Sequence, residues 1–271
     1  MDARLQLRVQ RYGWDAAAPV YEAGWRDALL APQEAMLEMA RLAPGQRVIE
    51  TAAGTGLASF PAARAVGPAG HVLATDISGE MVDLGAARAA ELGLSQVRFA
   101  RQNAEALDAG DGSFDRAICA LGLMYCPDPG KALSEMARVL RPGGRAAVAV
   151  WGERRHCGWA SIFPITDARV HSEVCPMFFG LGAPGALERS MRQAGFSEFE
   201  ERRLSVTIRF PSDAALLEAV IDGGAVAMAA KRFDPAVRAE VDAEFLASVA
   251  AFRMPQGYAI PGEFVIATGT V

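Results

Sequence analysis

Val48-Ile49-Glu50-Thr51-Ala52-Ala53-Gly54-Thr55-Gly56-Leu57 is the stretch on which the fold turns. An apolar, β-branched pair runs into an acidic residue, a turn of small residues follows, and helix-forming sequence begins behind it. A buried strand, a tight loop and a helix start, in that order, place a small polar ligand over the end of a parallel sheet. Glycines let the backbone come close, and the first turn of a helix offers free amides.

Working outward, strand and helix patterns alternate. Strands are expected over 47–50, over 71–75 ending at Asp76, and over 97–101, 114–119 and 145–150. A helix is expected over 57–66, with Pro61 tolerated near its first turn, where amides lack intrahelical partners. Ser78 can cap a helix carrying Met81, Val82 and Leu84 that stops at Gly93. Asp128-Pro129 opens another, with Leu133, Met136 and Leu140 on its apolar face, and Arg141-Pro142-Gly143-Gly144 breaks it. Five strands separated by helices or turns imply a doubly wound parallel sheet, whose ligands sit beyond the carboxyl ends of the strands. Glu50, Asp76, Asn103 and residues 120–125 stand at those ends.

Residues 1–44 form a helical preface in which Tyr12, Trp14, Tyr21 and Trp25 are concentrated. An amphipathic helix over 28–42 carries Leu30, Met36, Leu37 and Met39 and ends at Pro44-Gly45. The preface either closes over a site or packs on a sheet edge. After Trp151 the regularity weakens. A short helix is expected over 184–194, a strand over 204–210 and a last strand over 263–271. The interval 211–262 is an insertion with two helical patterns. Asp234-Pro235 opens the second, where Val237, Val241, Phe245, Val249 and Phe252 recur at near-helical spacing.

Bulk properties exclude several classes. The 271 residues are 51% hydrophobic with a net charge of −5, which promises a real core and argues against nucleic acid as the main partner. No window approaches the roughly 18 apolar residues of a membrane span, and no signal-peptide core follows Met1, so a cytoplasmic location is expected. The four cysteines, Cys119, Cys126, Cys157 and Cys175, match no zinc or redox spacing. His156-Cys157 and His171 with Cys175 are the nearest to a ligand set, but buried or incidental thiols account for them, and no metal is expected.

Asp76 sharpens the ligand. It follows the glycine loop by about 20 residues at the end of the second strand, the place of an acid that binds a ribose diol. Ser78 already provides the helix cap, so Asp76 is free for that role. A dinucleotide loop normally carries a third glycine that packs helix on strand; position 59 is Ser59 instead.

Five short motifs in order and spacing carry a family resemblance. They are the loop 48–56, Ala74-Thr75-Asp76-Ile77-Ser78 with Met81, Gln102 to Leu107, Gly112-Ser113-Phe114-Asp115, and Leu140 to Arg145. Over 47–151 the chain resembles class I S-adenosylmethionine-dependent methyltransferases, in the small-molecule branch that includes ubiquinone and menaquinone C-methyltransferases. The resemblance implies a seven-stranded, mostly parallel, Rossmann-like sheet with a helical N-terminal segment and a helical insertion before the last strand. It implies three parts of one continuous domain: an N-terminal lid over 1–44, a cofactor-binding core over 45–151 and cap elements over 152–271. S-adenosyl-L-methionine would be the cofactor and S-adenosyl-L-homocysteine its product. Ala52, Gly54 and Gly56 would lie under the methionine part, Glu50 matches the acid common at that position and would join the cofactor site, and Tyr21 resembles a tyrosine that precedes the core in many relatives. Asp76 would take the ribose hydroxyls, Ile77 and Met81 the adenine face, and Asn103 and Ala104 the adenine edge. Ala120 and Leu121 would line the methyl-transfer site. Asn103 replaces a frequent aspartate, and its amide carbonyl accepts more weakly than a carboxylate.

Transfer from a sulfonium to a ready nucleophile needs little acid–base help, whereas a hydroxyl or carbon acid needs a base. His156 and His171 are the catalytic candidates, with Glu153 and Tyr125 behind them; His71 opens the second strand at the wrong end of the sheet. Trp25, Tyr125, Trp159 and Phe179 are candidate acceptor contacts. Together with Trp14, Phe163, Met177 and Phe178 they suggest an apolar or aromatic acceptor, such as a quinone, phenol or heterocycle. The plain alternative is that these rings form the core of an added layer. A small-molecule partner and a monomer or homodimer are expected. Arsenite methylation through cysteines and a non-catalytic cofactor-binding regulator are the rival functions.

Overall fold

The computed structural model describes residues 3–170 and 178–271. His171, Cys175 and Met177 therefore lie outside the described residues.

The preface and the amphipathic stretch expected over 28–42 are one helix, α1 (Ala3–Ala40), with Pro19 and Pro32 in its interior. An interior proline costs a helix about 3 kcal/mol. Tertiary anchoring compensates: Trp25, Leu29, Met36 and Met39 are all buried. The core then alternates β1 (Arg47–Thr51), α2 (Ser59–Val66), β2 (His71–Asp76), α3 (Gly79–Glu91), β3 (Val97–Arg101), β4 (Phe114–Ala120), α4 (Pro129–Val139) and β5 (Leu140–Trp151). Ser78 Oγ accepts from the Met81 amide at 3.1 Å and Asp128 Oδ1 from the Lys131 amide at 3.0 Å, so both expected caps form. α2 starts two residues later than expected, because the turn at Gly56, with φ +96°, delays helical geometry. The Pro-Gly-Gly break is absorbed into the start of β5, where its register against β4 shifts.

Beyond Trp151 come α5 (Ile162–Asp167), α6 (Ala186–Gln193), β6 (Ser197–Phe210), α7 (Asp213–Leu217), α8 (Ala227–Ala230), α9 (Pro235–Ser248) and β7 (Tyr258–Thr270). α7 runs into a wide π turn, Glu218–Asp222. β6 begins seven residues before the expected strand. Its first half is an outer strand with exposed charges at Glu198, Glu200, Glu201 and Arg202, so no apolar alternation marks it, and those charges blunt the sheet edge.

The sheet order is β3-β2-β1-β4-β5-β7-β6, with β7 antiparallel between β5 and β6 and the other neighbours parallel. This is the doubly wound, seven-stranded, mostly parallel sheet. Its central strands are apolar on both faces, as sheets covered on both sides require: Ala146–Val150 are fully buried. The helices between β6 and β7 pack on α1 over the carboxyl ends of the parallel strands. Trp25 Nε1 donates to Ala219 O at 2.9 Å and to Gly223 O at 3.0 Å. At Gly24 a Cβ would stand 2.8 Å from the Ala219 Cβ, so only glycine permits this approach. No described helix is long and apolar enough to cross a membrane.

Candidate functional site

The loop after β1 is built by its backbone. Ala52 (φ +52°), Gly54 (φ +56°) and Gly56 (φ +96°) all occupy left-handed geometry, and the Gly54 amide donates to Asp76 Oδ2 at 2.8 Å. The other carboxylate oxygen, Oδ1, accepts from the Ser78 amide at 2.9 Å. Asp76 thus joins the ends of β1 and β2. The loop after β4 meets the same place: Leu121 has φ +62°, and a Cβ on Gly122 would lie 2.2 Å from the Ala52 Cβ. Positive φ at alanine and leucine is costly and collects at functional sites.

Over these loops lies a cleft with about 670 Å³ of empty space, counted to its open mouth. Tyr21, Ala52, Gly54, Asp76 and Ile77 line it, as do Met81, Asn103, Ala104, Ala120 and Leu121. The remaining two cofactor candidates do not. Glu50 is buried beneath the loop, where Ser59 Oγ donates to its Oε2. Gly56 faces the rings of Phe60 and Phe99, which a Cβ would meet at 2.7 Å. Burial pushes the Glu50 carboxyl up to about 8. The Asp76 carboxyl is also raised by burial, although the Ser78 and Gly54 amides oppose this. Tyr21 is raised far above the usual phenol range by burial, with the Asp76 and Glu50 charges adding to it. Its hydroxyl is therefore a donor, not a base.

Leu7, Gln10, Cys126 and Pro127 also line the cleft and were missed, while Gln102 and Gly122 enter it from the motif 102–107 and the strand-end stretch 120–125. For two of them a signal existed. Leu7, Gln10, Trp14 and Tyr21 recur at helical spacing on one face of α1. Asp15, on the same helix, accepts from Ser78 Oγ at 2.6 Å and holds α1 across the start of α3.

A second, smaller pocket, with about 390 Å³ of empty space, shares Trp14, Tyr21, Leu121 and Tyr125 with the cleft. Trp25, Leu29, Trp151 and Trp159 form its far wall, and Val220, Gly224 and Ala225 close it from the insertion. Three of the four acceptor candidates, Trp25, Tyr125 and Trp159, meet here. Phe179 does not line it; it stacks behind, 6.0 Å from Trp159 and 4.7 Å from Phe178. The aromatic stretches thus do both things: some rings line the pocket and others pack.

His156 lines neither pocket. Its Nδ1 is 2.9 Å from Glu263 Oε1, and Glu263 Oε2 takes Arg203 Nη1 at 3.1 Å and the Glu153 amide at 2.9 Å. Burial alone would raise the Glu263 carboxyl, but the Glu153 amide and His156 reverse this, and it lies below the usual range. Glu153, His156 and Glu263 converge as a metal set would. The Arg203 guanidinium already occupies the buried carboxylate, which makes the cluster a structural tie. Burial pushes the Cys119 and Cys157 thiols up to about 11, and Cys126 is also raised well above its ordinary value by burial. None of these three belongs to the one group of metal-ligand type found among the described residues.

A family model described as a methyltransferase domain matches residues 48–144. The chain is 30% identical over 218 residues to nocamycin O-methyltransferase of Saccharothrix syringae, covering 75% of this chain and 78% of that protein. It is 31% identical over 195 residues to a ubiquinone/menaquinone biosynthesis C-methyltransferase of Methylobacterium nodulans, covering 67% and 75%. Uncharacterized proteins of Mycobacterium tuberculosis and Mycobacterium bovis are 40% identical over 116 residues, but the match spans only 43% of this chain and 41% of theirs. In fold, the YcgJ protein of Bacillus subtilis superposes with a TM-score of 0.63 at 19% identity, over 89% of this chain and 97% of that one.

Proposed function

The chain belongs to the S-adenosylmethionine-dependent methyltransferases, and from that membership we propose that it methylates a small, partly apolar or aromatic acceptor held in the second pocket. The observation that carries this is the adjacency of the two spaces. Trp14, Tyr21, Leu121 and Tyr125 line both, so molecules in them share a boundary.

The cofactor cleft fits an adenosyl sulfonium on its own chemistry. Its lining offers the Asp76 carboxylate for a ribose diol, the Asn103 amide for an adenine edge, and the Ala52 and Gly54 backbone for the methionine part. When bound, S-adenosylmethionine supplies a methyl group activated on sulfur. The residues of this chain do the rest. Asp76 accepts from the ribose hydroxyls, Ile77 and Met81 cover the adenine, and Asn103 and Ala104 border its edge. Ala52 and Gly54 support the methionine part. Burial holds the Glu50 carboxyl well above the ordinary carboxylate range beneath the loop, and an ammonium above that loop would draw it back down. Leu121 lines both spaces and stands at their boundary, with Ala120 beside it on the cleft side.

Aromatic walls exclude water and hold the acceptor in line, which supplies much of the rate for an acceptor that is already nucleophilic. Positioning rather than a base at His156 is the mechanism we favour, because His156 is committed to Glu263 away from both pockets. A quinol, phenol or heterocycle suits such a pocket. Isothermal titration with S-adenosylmethionine and S-adenosylhomocysteine, followed by turnover with a panel of phenols and quinols, is the test. Binding of neither cofactor form would end the proposal. Binding without turnover of any acceptor would favour a regulatory role.

A further inference from the structure

Trp25 and Trp159 line the same pocket, with ring centroids 5.9 Å apart, but their N–H groups have different fates. The Trp25 N–H is spent on Ala219 O and Gly223 O. The Trp159 N–H is buried and has no hydrogen-bond partner, in a residue only 4% exposed. A buried donor left unpaired is expensive, and native structures rarely keep one without a purpose. The ring itself is held firmly, against Trp151 at 4.8 Å and Phe163 at 5.8 Å. Its N–H cannot swing away to find another partner.

We propose that Trp159 is the specificity-determining residue of the acceptor pocket, its indole N–H kept for an oxygen of the acceptor molecule. The assignment rests on the methyl-transfer reading for the word acceptor, but on the pocket alone for the ligand chemistry. Indole nitrogen only donates. Among the described lining residues there is no carboxylate, imidazole, amine or guanidinium, only indoles, phenols and apolar groups. An ammonium would find ring faces but no hydrogen-bond acceptor among the side chains other than phenol oxygens, and no counter-charge. A hydrocarbon would leave the N–H as it is. A planar ligand carrying a carbonyl, ether or phenolate oxygen pairs it. The ligand class is therefore an oxygen-bearing aromatic or quinonoid molecule, selected over amines and over plain hydrocarbons of the same shape.

The test uses the whole chain saturated with S-adenosylhomocysteine and labelled with ¹⁵N at its tryptophans. The four tryptophans give four indole N–H resonances, and the one lost in Trp159→Phe is that of Trp159. Acetophenone and isopropylbenzene have nearly the same shape and differ in one oxygen; benzylammonium supplies the cation. The expected result is a downfield shift of the Trp159 proton with acetophenone and not with isopropylbenzene. The affinity ratio of ketone to hydrocarbon should fall about tenfold in Trp159→Phe, as a cycle over one hydrogen bond predicts. Benzylammonium should bind more weakly than acetophenone.

The proposal is overturned if acetophenone binds without moving the Trp159 resonance. It is equally overturned if the ratio is unchanged in Trp159→Phe, or if none of the probes binds. Should Trp159→Phe misfold, the wild-type shift decides, with the resonance assigned by Trp159→Tyr. Failure to bind S-adenosylhomocysteine would sink the methyl-transfer reading instead, and the same titration on the cofactor-free chain still reads Trp159.

Discussion

Asp76 shows how a single side chain serves two purposes. It pins the Gly54 and Ser78 amides and faces the cleft, with spare lone pairs on both oxygens. Asp76→Ala should weaken S-adenosylmethionine binding roughly tenfold to a hundredfold, the range for losing charge-assisted hydrogen bonds; calorimetric titration checks it. Glu50 makes a pH prediction. Its carboxyl is raised from the ordinary 4.5 to about 8 by burial, so the folded chain holds that proton more tightly than the unfolded chain. Stability from this group is complete below pH 4.5 and is lost as pH rises through 8. Glu50→Gln keeps an acceptor for Ser59 Oγ and removes the titration. The cofactor-free variant should gain a few kcal/mol over wild type at pH 9 and almost nothing at pH 4, read as the shift in chemical denaturation midpoints. Residues of this kind were legible in the sequence because backbone chemistry constrains them: a diol needs its acid at a strand end, and a close approach needs glycine. The left-handed Leu121 and the depth of Glu50 were not legible, since neither leaves a mark on spacing.

At the scale of elements, strands β1 to β5 and their helices announce themselves through periodicity and caps. The roof over the second pocket does not. It joins Trp25 to Ala219 across 194 residues, and no local pattern reports a contact between two amphipathic segments so far apart. The outer half of β6 was hidden for a different reason: an edge needs charge, and charge erases alternation. The roof depends on close approach at Gly24. Gly24→Leu should push α1 off the π turn at a cost of about 1–3 kcal/mol, as overpacking does. Because Gly24 adjoins Trp25, acceptor KM should rise several-fold while cofactor affinity stays within twofold. A matched loss of both would show that α1 moves as one body.

Across the whole molecule, the cluster of Glu153, His156, Arg203 and Glu263 ties the end of β5 to β6 and β7. His156→Ala should keep wild-type kcat at saturating acceptor, since the imidazole holds Glu263 rather than substrate; a loss of a hundredfold would restore the histidine to catalysis. Glu263, held below the usual range, gives stability that is present above its unfolded value and falls away as the pH drops. Its slope opposes that of Glu50, so Glu263→Gln should flatten the acid limb of the stability profile in a thermal melt series. One buried arginine adds a consequence of another sort. Arg145 on β5 donates from Nε to Met39 O near the end of α1, and from Nη2 to Thr268 Oγ1 on β7 at 2.6 Å. The first helix and the final strand are thus joined through the middle of the chain, and β7 fills an interior place in the sheet. During synthesis, α1 can rest on α3 and β5 as they appear, but its contacts with β7 must wait for that strand. The roof over the second pocket, where Trp25 donates to Ala219 O and Gly223 O, is therefore the part of the site that closes late.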